Sequence, residues 1–400
     1  LDLTWRCQLS PIVILAGVRT PIGRLQGGLK SISATDLGAT SIKAACDRAG
    51  IEPSQVDFSY LGNVISAGIG QVPARRAAFD AGIPMTSPST LLNRACLSGM
   101  HAIHLATQMI RLQEAEIVLA GGMESMTNSP YMIPGARSGL RFGDSELIDS
   151  MLFDGLTCTI ENCSMGEATD RFTEELGISR HDQDAFAAQS HQRAAKAQKD
   201  GVLDEEICPV EIPQRSGDSL TIKDDEGIRQ DADLESMARL SPAFTKNGSI
   251  TAGNASQISD GAAAVIVTTM DKANELGVEP VAEILAHGQV AGPDTSLLHQ
   301  PSNAINAALD SAGMKVSDLD LFEINEAFAA VALASMSALG VSEEIVNVNG
   351  GAIALGHPIG MSGTRVTLTL IHELQRRGGG LGAASLCGGG GQGEALILKV

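Results

Sequence analysis

The chain is predicted to be an α/β protein of two related halves, the first carrying a large insertion. Three observations predict this. Strand-like apolar runs alternate with helical patterns. A sixteen-residue stretch recurs late in the chain, and the segment between the copies changes in character. At 400 residues the chain also exceeds the size at which one hydrophobic core stops growing.

Ile12 to Ala16 is an apolar run bounded by Pro11 and Gly17, a buried-strand signal. Thr35 to Ala49 has helical spacing and stops at Gly50, which suits a left-handed helix terminus. Val56 to Val64 then reads as a strand, giving a βαβ unit and a mostly parallel sheet. Ile42–Asp57 matches Ile305–Asp320 without a gap, sharing Ile42/Ile305, Ala44/Ala307, Ala45/Ala308, Asp47/Asp310, Ala49/Ala312, Gly50/Gly313, Ser54/Ser317 and Asp57/Asp320. One residue of further offset places Ser98-Gly99 on Ser362-Gly363, each opening an amphipathic helix. These lead to strand-like Ile117–Ala120 and Gly382–Leu386, both followed by glycines. Two register-consistent matches outweigh chance likeness between alanine-rich helices. The expected division is residues 1–123 plus 254–276 for the first half, 124–253 for the inserted loop domain and 277–400 for the second half.

Composition narrows the function. A net charge of −19 argues against a general nucleic-acid or anionic-membrane surface. No apolar run reaches the roughly eighteen residues of a membrane span, and Leu1–Ser10 lacks the apolar core of a signal peptide. The seven cysteines are odd in number and scattered, with none in a CxxC pair at zinc spacing, so a reduced, cytoplasmic, metal-free chain is expected.

Cys96 lies between strand-like Ser89–Leu92 and a helix containing Ala102, Ile103, Leu105, Met109 and Leu112. A thiol at a helix N-terminus meets the positive end of the dipole, which favours the nucleophilic thiolate. The alternative is a buried structural cysteine. In Asn347–Gly363 five glycines surround His357, with Pro358 stiffening the chain after it, so an imidazole is expected on a rigid loop before a helix starting near Ser362. Cys387 ends an apolar run and precedes four glycines, whose N–H groups are free to bind an oxyanion. Asn325-Glu326 follows strand-like Leu319–Ile324, where either helix capping or a site at strand ends is expected.

Six motifs occur together and in order: Cys96 with Ser98-Gly99, Gly121-Gly122-Met123-Glu124-Ser125-Met126, Thr251-Ala252-Gly253-Asn254-Ala255-Ser256, Asn325-Glu326-Ala327-Phe328, Gly356-His357-Pro358 and Cys387-Gly388-Gly389. Over residues 10 to 400 the chain resembles the thiolases, and among them the acetyl-CoA acetyltransferases. The resemblance implies five layers, αβαβα. It implies Cys96 as the acylated nucleophile, His357 as the base for its thiol, and Cys387 as the acid and base for the substrate α-carbon. His357 with a water held by Asn325 would form one oxyanion site, and the N–H groups of Cys96 and Gly389 the other. For coenzyme A it implies Ser256 at the pantetheine, Arg229 near the adenine, and an apolar wall of Met165, Phe244, Ala327 and Phe328. No metal or prosthetic group is implied, acyl-CoA and CoA being substrate and product, and the expected assembly is a homotetramer, with a homodimer as alternative.

Two departures sit near the CoA positions. Ser164 stands where a histidine often precedes the Met-Gly pair, and Gln257 where many members have glycine. Met165 and Met361-Ser362 resemble the short-chain acetoacetyl-CoA thiolases, which implies acetoacetyl-CoA as substrate, with a broad-range 3-ketoacyl-CoA thiolase of β-oxidation as the alternative. A decarboxylating condensing enzyme would lack a second acid/base cysteine, and an inactive carrier on this fold would lack some of the four catalytic positions.

Overall fold

The computed structural model describes residues 10–214 and 219–400; the reading of the N-terminal segment, Cys7 included, lies largely outside them. The main sheet is built from β1 (Ile12–Arg19), β2 (Gly23–Arg24), β3 (Phe58–Gly62), β4 (Ser89–Leu92), β5 (Val118–Ser125), β6 (Ser259–Thr269), β7 (Ala282–Ala291), β8 (Leu321–Ile324), β9 (Leu381–Gly388) and β10 (Gln392–Lys399). Their order is β8-β9-β10-β7-β1-β6-β5-β3-β4, with β2 paired to β6.

This order is one pattern used twice. In the first half β3 runs parallel to β4 and β5, and β6 and β1 follow antiparallel. In the second half β8 runs parallel to β9, and β10 and β7 follow antiparallel. The counterpart of β4 is reduced to a single parallel bridge between Phe322 and Val346. The halves meet where Val13 pairs with Glu283 and Ile14 with Ala282.

The repeated sequence folds the same way in both places. Helix α1 (Ala34–Ala49) ends at Gly50 with φ 65° and ψ 28°, and a short 3-10 turn at Pro53–Gln55 leads to β3. Helix α3 (Gln300–Ala312) ends at Gly313 with φ 67° and ψ 28°, and a turn at Val316–Asp318 leads to β8. Glycine is required at both ends because a side chain disfavours positive φ. The shared aspartates also act alike: Asp57 accepts the N–H groups of Glu116 and Ile117, and Asp320 that of Leu381.

Between the halves lie α2 (Ser98–Arg111) and α4 (Ser362–Arg376), which pack on each other and on strands of both halves. Strand alternation explains the layering. Ile12 and Ile14 of β1 join Met100, Ile103, Val366 and Leu370 in the middle core. Val13 and Leu15 face the other way, onto Leu37, Ile42 and Ala45 of α1. On the far side, Ile305 and Ala308 of α3 pack with Phe322, Ile324 and Ile397. The succession is helix, sheet, helix, sheet, helix.

Strand β5 carries the first half's sheet to Ser125, past the expected boundary at residue 123. The intervening segment holds the helices Met165–Glu175 and Arg180–Lys199, and one π-helical turn at Met151–Leu156. Among the described residues no helix is long and apolar enough to cross a membrane.

Candidate active site

The corner after β4 is held by Ser98. Its Oγ accepts the Arg94 N–H at 2.8 Å and donates to the Ala95 carbonyl at 2.6 Å. Ala95 is thereby kept at φ +50°, a region costly for a residue with a side chain. The tight corner delivers Cys96 half-buried at the mouth of α2, lining a cavity of about 380 Å³. Burial pushes its thiol up to about 11, against the N–H groups of Cys96 and Gly389, which are directed at the sulfur and favour the thiolate.

The corner before α4 holds His357. Gly356 adopts φ +113°, and a Cβ there would lie 2.2 Å from Ser259 Oγ. The loop presses onto the ends of the first half's strands: a Cβ on Gly122 would stand 2.0 Å from the Gly360 carbonyl, and one on Gly62 would stand 2.6 Å from it. Buried Glu124 locks this contact. It accepts N–H groups of Val64 at 2.9 Å, Ile65 at 3.2 Å, Gly360 at 2.9 Å and the Asn63 amide at 2.7 Å. A β5 carboxylate from the first half therefore grips the loop that carries His357.

The hydrogen-bond network selects the tautomer of His357. Ser362 Oγ donates its one hydrogen to the Pro358 carbonyl at 2.9 Å, so at 2.6 Å it accepts from His357 Nδ1–H. Nε2 is left with its lone pair. The Asn325 amide faces it by a similar exclusion. Arg365 Nη2, which can only donate, lies 3.2 Å from Asn325 Oδ1, so the Nδ2 hydrogens point to His357 Nε2 at 3.5 Å. Burial, then the Arg365 charge, push His357 down to about 3. At neutral pH the imidazole is uncharged, with Nε2 ready to accept a proton.

Cys387 is fully buried at the end of β9, and burial followed by the nearby Cys96 push its thiol far above the ordinary range. Gly388 is obligatory because a Cβ would meet Leu97 at 2.6 Å. At Gly389 a Cβ would touch only Ala95, at an ordinary 3.6 Å. Space at Gly389 thus belongs to the cavity, which it lines, rather than to protein packing.

Cys96, His357 and Gly389 line the cavity together, with Asn325 behind His357. Ser256, Met165, Ala327 and Phe328 line it too, and Ser256 N–H donates to the Ala327 carbonyl. Phe244 stands edge-on to Phe328 with ring centres 6.1 Å apart and is 41% exposed. Arg229 is not part of this lining; it is exposed, with its backbone N–H on His191 Nδ1. Capping does not account for Asn325 and Glu326, since the next helix is Ala329–Leu339 and has no side-chain cap.

The two departures have structural uses. Ser164 caps Met165–Glu175 through the Glu167 N–H, and Gln257 Nε2 holds the Gly227, Ile353 and Ala354 carbonyls. Residues Leu156, Cys158 and Ile160 also line the cavity. No strand or helix period marked them, because they sit in irregular chain. Ser362, Glu124 and Arg365 were missed as supports of the site, their partners being distant in sequence.

Cys96 from the first half and His357 from the second line one cavity, while Cys387 is buried near Cys96 and outside the lining. A thiol and a neutral imidazole on one cavity suit the carriage of acyl groups on sulfur. The family comparison makes this specific. Residues 12–271 match the thiolase N-terminal domain and 278–400 the thiolase C-terminal domain, and the chain belongs to the thiolase family. It is 54% identical over 391 residues to a probable acetyl-CoA acetyltransferase of Mycobacterium tuberculosis, covering 98% of this chain and 100% of that one. It is 50% identical over 388 residues to an acetyl-CoA acetyltransferase of Chromobacterium violaceum, covering 97% and 99%. A crystal structure of the Bacillus anthracis acetyl-CoA acetyltransferase superposes with a TM-score of 0.95 at 40% identity, covering 98% of each chain.

Proposed function

We propose that the chain is an acetyl-CoA C-acetyltransferase that interconverts two acetyl-CoA with acetoacetyl-CoA and CoA. The observation that carries this reading is the convergence of Cys96, His357 and Gly389 on one cavity.

In the cleavage direction Cys96 attacks the keto carbon while its proton passes to His357 Nε2. The carbon–carbon bond breaks, and Cys387 protonates the departing enolate. Incoming CoA gives its proton to the Cys387 thiolate and attacks the acetyl group on Cys96. The Cys96 sulfur leaves and recovers its proton from His357. The raised Cys387 suits this role, since its thiolate is a strong base toward carbon. Oxyanions form opposite the Cys96 and Gly389 N–H groups and opposite Asn325 with His357. This chemistry calls for no metal or prosthetic group.

Met165, Phe328 and Ser256 are read as walls of the CoA channel, with Phe244 at its outer edge and Arg229 near the adenine. The residue divisions 1–123 plus 254–276, 124–253 and 277–400 are retained as functional units. A homotetramer is proposed from the apolar side chains that the inserted segment exposes, among them Leu140, Phe142, Leu147 and Phe153, and a cytoplasmic location from the scattered free cysteines. Light scattering on the purified chain tests the assembly, and a monomer would contradict it.

Intact-mass spectrometry after mixing with acetyl-CoA tests the chemistry. One acetyl adduct on Cys96, absent from Cys96→Ala, is expected; none, or one elsewhere, overturns the assignment. Faster turnover of a long-chain 3-ketoacyl-CoA than of acetoacetyl-CoA would transfer the reading to a broad-range thiolase.

A further inference from the structure

Outside the catalytic cavity, three metal-ligating side chains from three elements converge. His101 lies in the first turn of α2, His287 on β7 and Glu394 on the neighbouring β10. In the β7–β10 register Glu394 faces Gln289, so His287 is its diagonal neighbour on the same side of the sheet. Glu394 Oε1 lies 2.9 Å from His101 Nδ1 and 2.6 Å from His287 Nε2, and the three donor atoms fall within 4.8 Å of one another.

The surroundings arrange these donors. Glu394 is fully buried, and its second oxygen is 3.4 Å from Arg94 Nη1, leaving Oε1 for the histidines. His104, one turn along α2, stacks on His287 with ring centres 3.5 Å apart and fixes its plane. Side chains of His101 and His287 remain 17% and 12% exposed, giving an ion a route from solvent.

We propose that His101, His287 and Glu394 form a binding site for a divalent late transition ion, with zinc as its reference metal. Two imidazoles and one carboxylate oxygen are a known zinc ligand set. Tetrahedral bonds of ~2.0–2.2 Å would set the donors about 3.3 Å apart, so the carboxylate oxygen would draw back from its present 2.6 and 2.9 Å to the imidazoles. Outer-shell partners of the kind that orient metal ligands are already in place: Arg94 on the carboxylate and His104 against the imidazole. Arg94 also bonds His101 Nδ1 at 2.9 Å and must withdraw from it when a metal binds. It retains Gln289 at 3.2 Å and Gln392 at 3.3 Å as alternative partners. Gln392 in turn donates to the Gly389 carbonyl at 3.0 Å, so Glu394, Arg94 and Gln392 would link the ion to the turn at Gly389.

The test is calorimetric titration of zinc chloride into the EDTA-treated, desalted full chain, in the wild type and in Cys96→Ala. One zinc per chain is expected in both, which separates this site from the catalytic thiol. His101→Ala and His287→Ala should each weaken binding by at least the ten- to hundredfold that loss of an outer-shell partner costs. His104→Ala should have a smaller effect. If Glu394→Gln fails to fold, His101→Ala, on a partly exposed helix face, carries the same test, with circular dichroism as the control. Absence of binding at 100-micromolar zinc (about 5.5 kcal/mol of affinity), or binding unchanged in the His101→Ala/His287→Ala double variant, overturns the proposal.

Discussion

Ser98 and Ser362 hold matching places, each the first residue of a helix in the middle layer, and each closes its corner with a hydroxyl bond to a preceding carbonyl. Ser98 spends its remaining capacity on the Arg94 N–H and so holds a tight corner that pushes Cys96 outward. Ser362 uses its remaining lone pair on His357 Nδ1 and so sets a buried base. The asparagines after β3 and β8 diverge likewise. Asn63 braces Glu124, whereas Asn325 faces the imidazole. A duplicated scaffold thus keeps its backbone bonds in both copies and reassigns only the lone pairs and hydrogens left over.

Removing the second half's base should produce the largest effect. His357→Ala is expected to slow Cys96 acetylation by about 10²–10⁴-fold with the melting temperature little changed, measured by rapid-quench mass spectrometry. The pH dependence carries a sign. His357 must be neutral, which holds above about 3, and Cys96 remains a thiol below about 11. The acetylation rate should therefore be flat across the neutral range, and a sharp acid limb near the ordinary histidine value of about 6.5 would break the neutral-pair picture.

Next comes Cys387→Ala, which separates the roles of the two thiols. Acetyl-Cys96 formation from acetyl-CoA, where Cys387 only protonates the departing CoA thiolate, should slow less than acetoacetyl-CoA cleavage, which falls by about 10²-fold or more. Equal loss of both steps would merge the two cysteines into one function.

The paired serines give an intermediate effect and the sharpest comparison. Ser362→Ala should lower the acetylation rate by roughly tenfold, because Nδ1–H loses its acceptor and the tautomer its bias, a hydrogen bond of about 1 kcal/mol. Ser98→Ala should cost a similar amount of thermal stability with a smaller loss in rate. Equal rate losses would mean that the two hydroxyls still do the same work. Phe244→Ala is the smallest: a few-fold rise in KM for CoA, about 1 kcal/mol, with kcat near wild type.

Much of the fold was legible because its signals are local, but the expected mostly parallel sheet is instead mostly antiparallel, with parallel pairing only at β3–β4, β3–β5 and β8–β9 among the described residues. Gly50 and Gly313 punctuate two copies of one helix, and the apolar runs at Ile12 and Ile117 mark strands at once. The corners were legible as well, since Cys96 and His357 each precede a helix that begins with Ser-Gly. Their support was not. Glu124 binds Gly360, and Arg365 sets the Asn325 amide, across separations that no periodicity encodes. The metal-ligating cluster was invisible for the same reason, because spacing rules find ligands adjacent in sequence and these lie on α2, β7 and β10.

Among the described residues the sheets of the two halves pair edge to edge through Val13–Ile14 and Ala282–Glu283, with Gly277 ending the helix just before the junction. The polypeptide link there is short and peripheral to the layered core. A break between residues 277 and 281 would yield one fragment bearing Cys96 and another bearing His357 and Cys387. Neither fragment would hold a complete reaction centre, so turnover would report reassembly of the pair, making this junction a natural place for a conditional, two-piece enzyme.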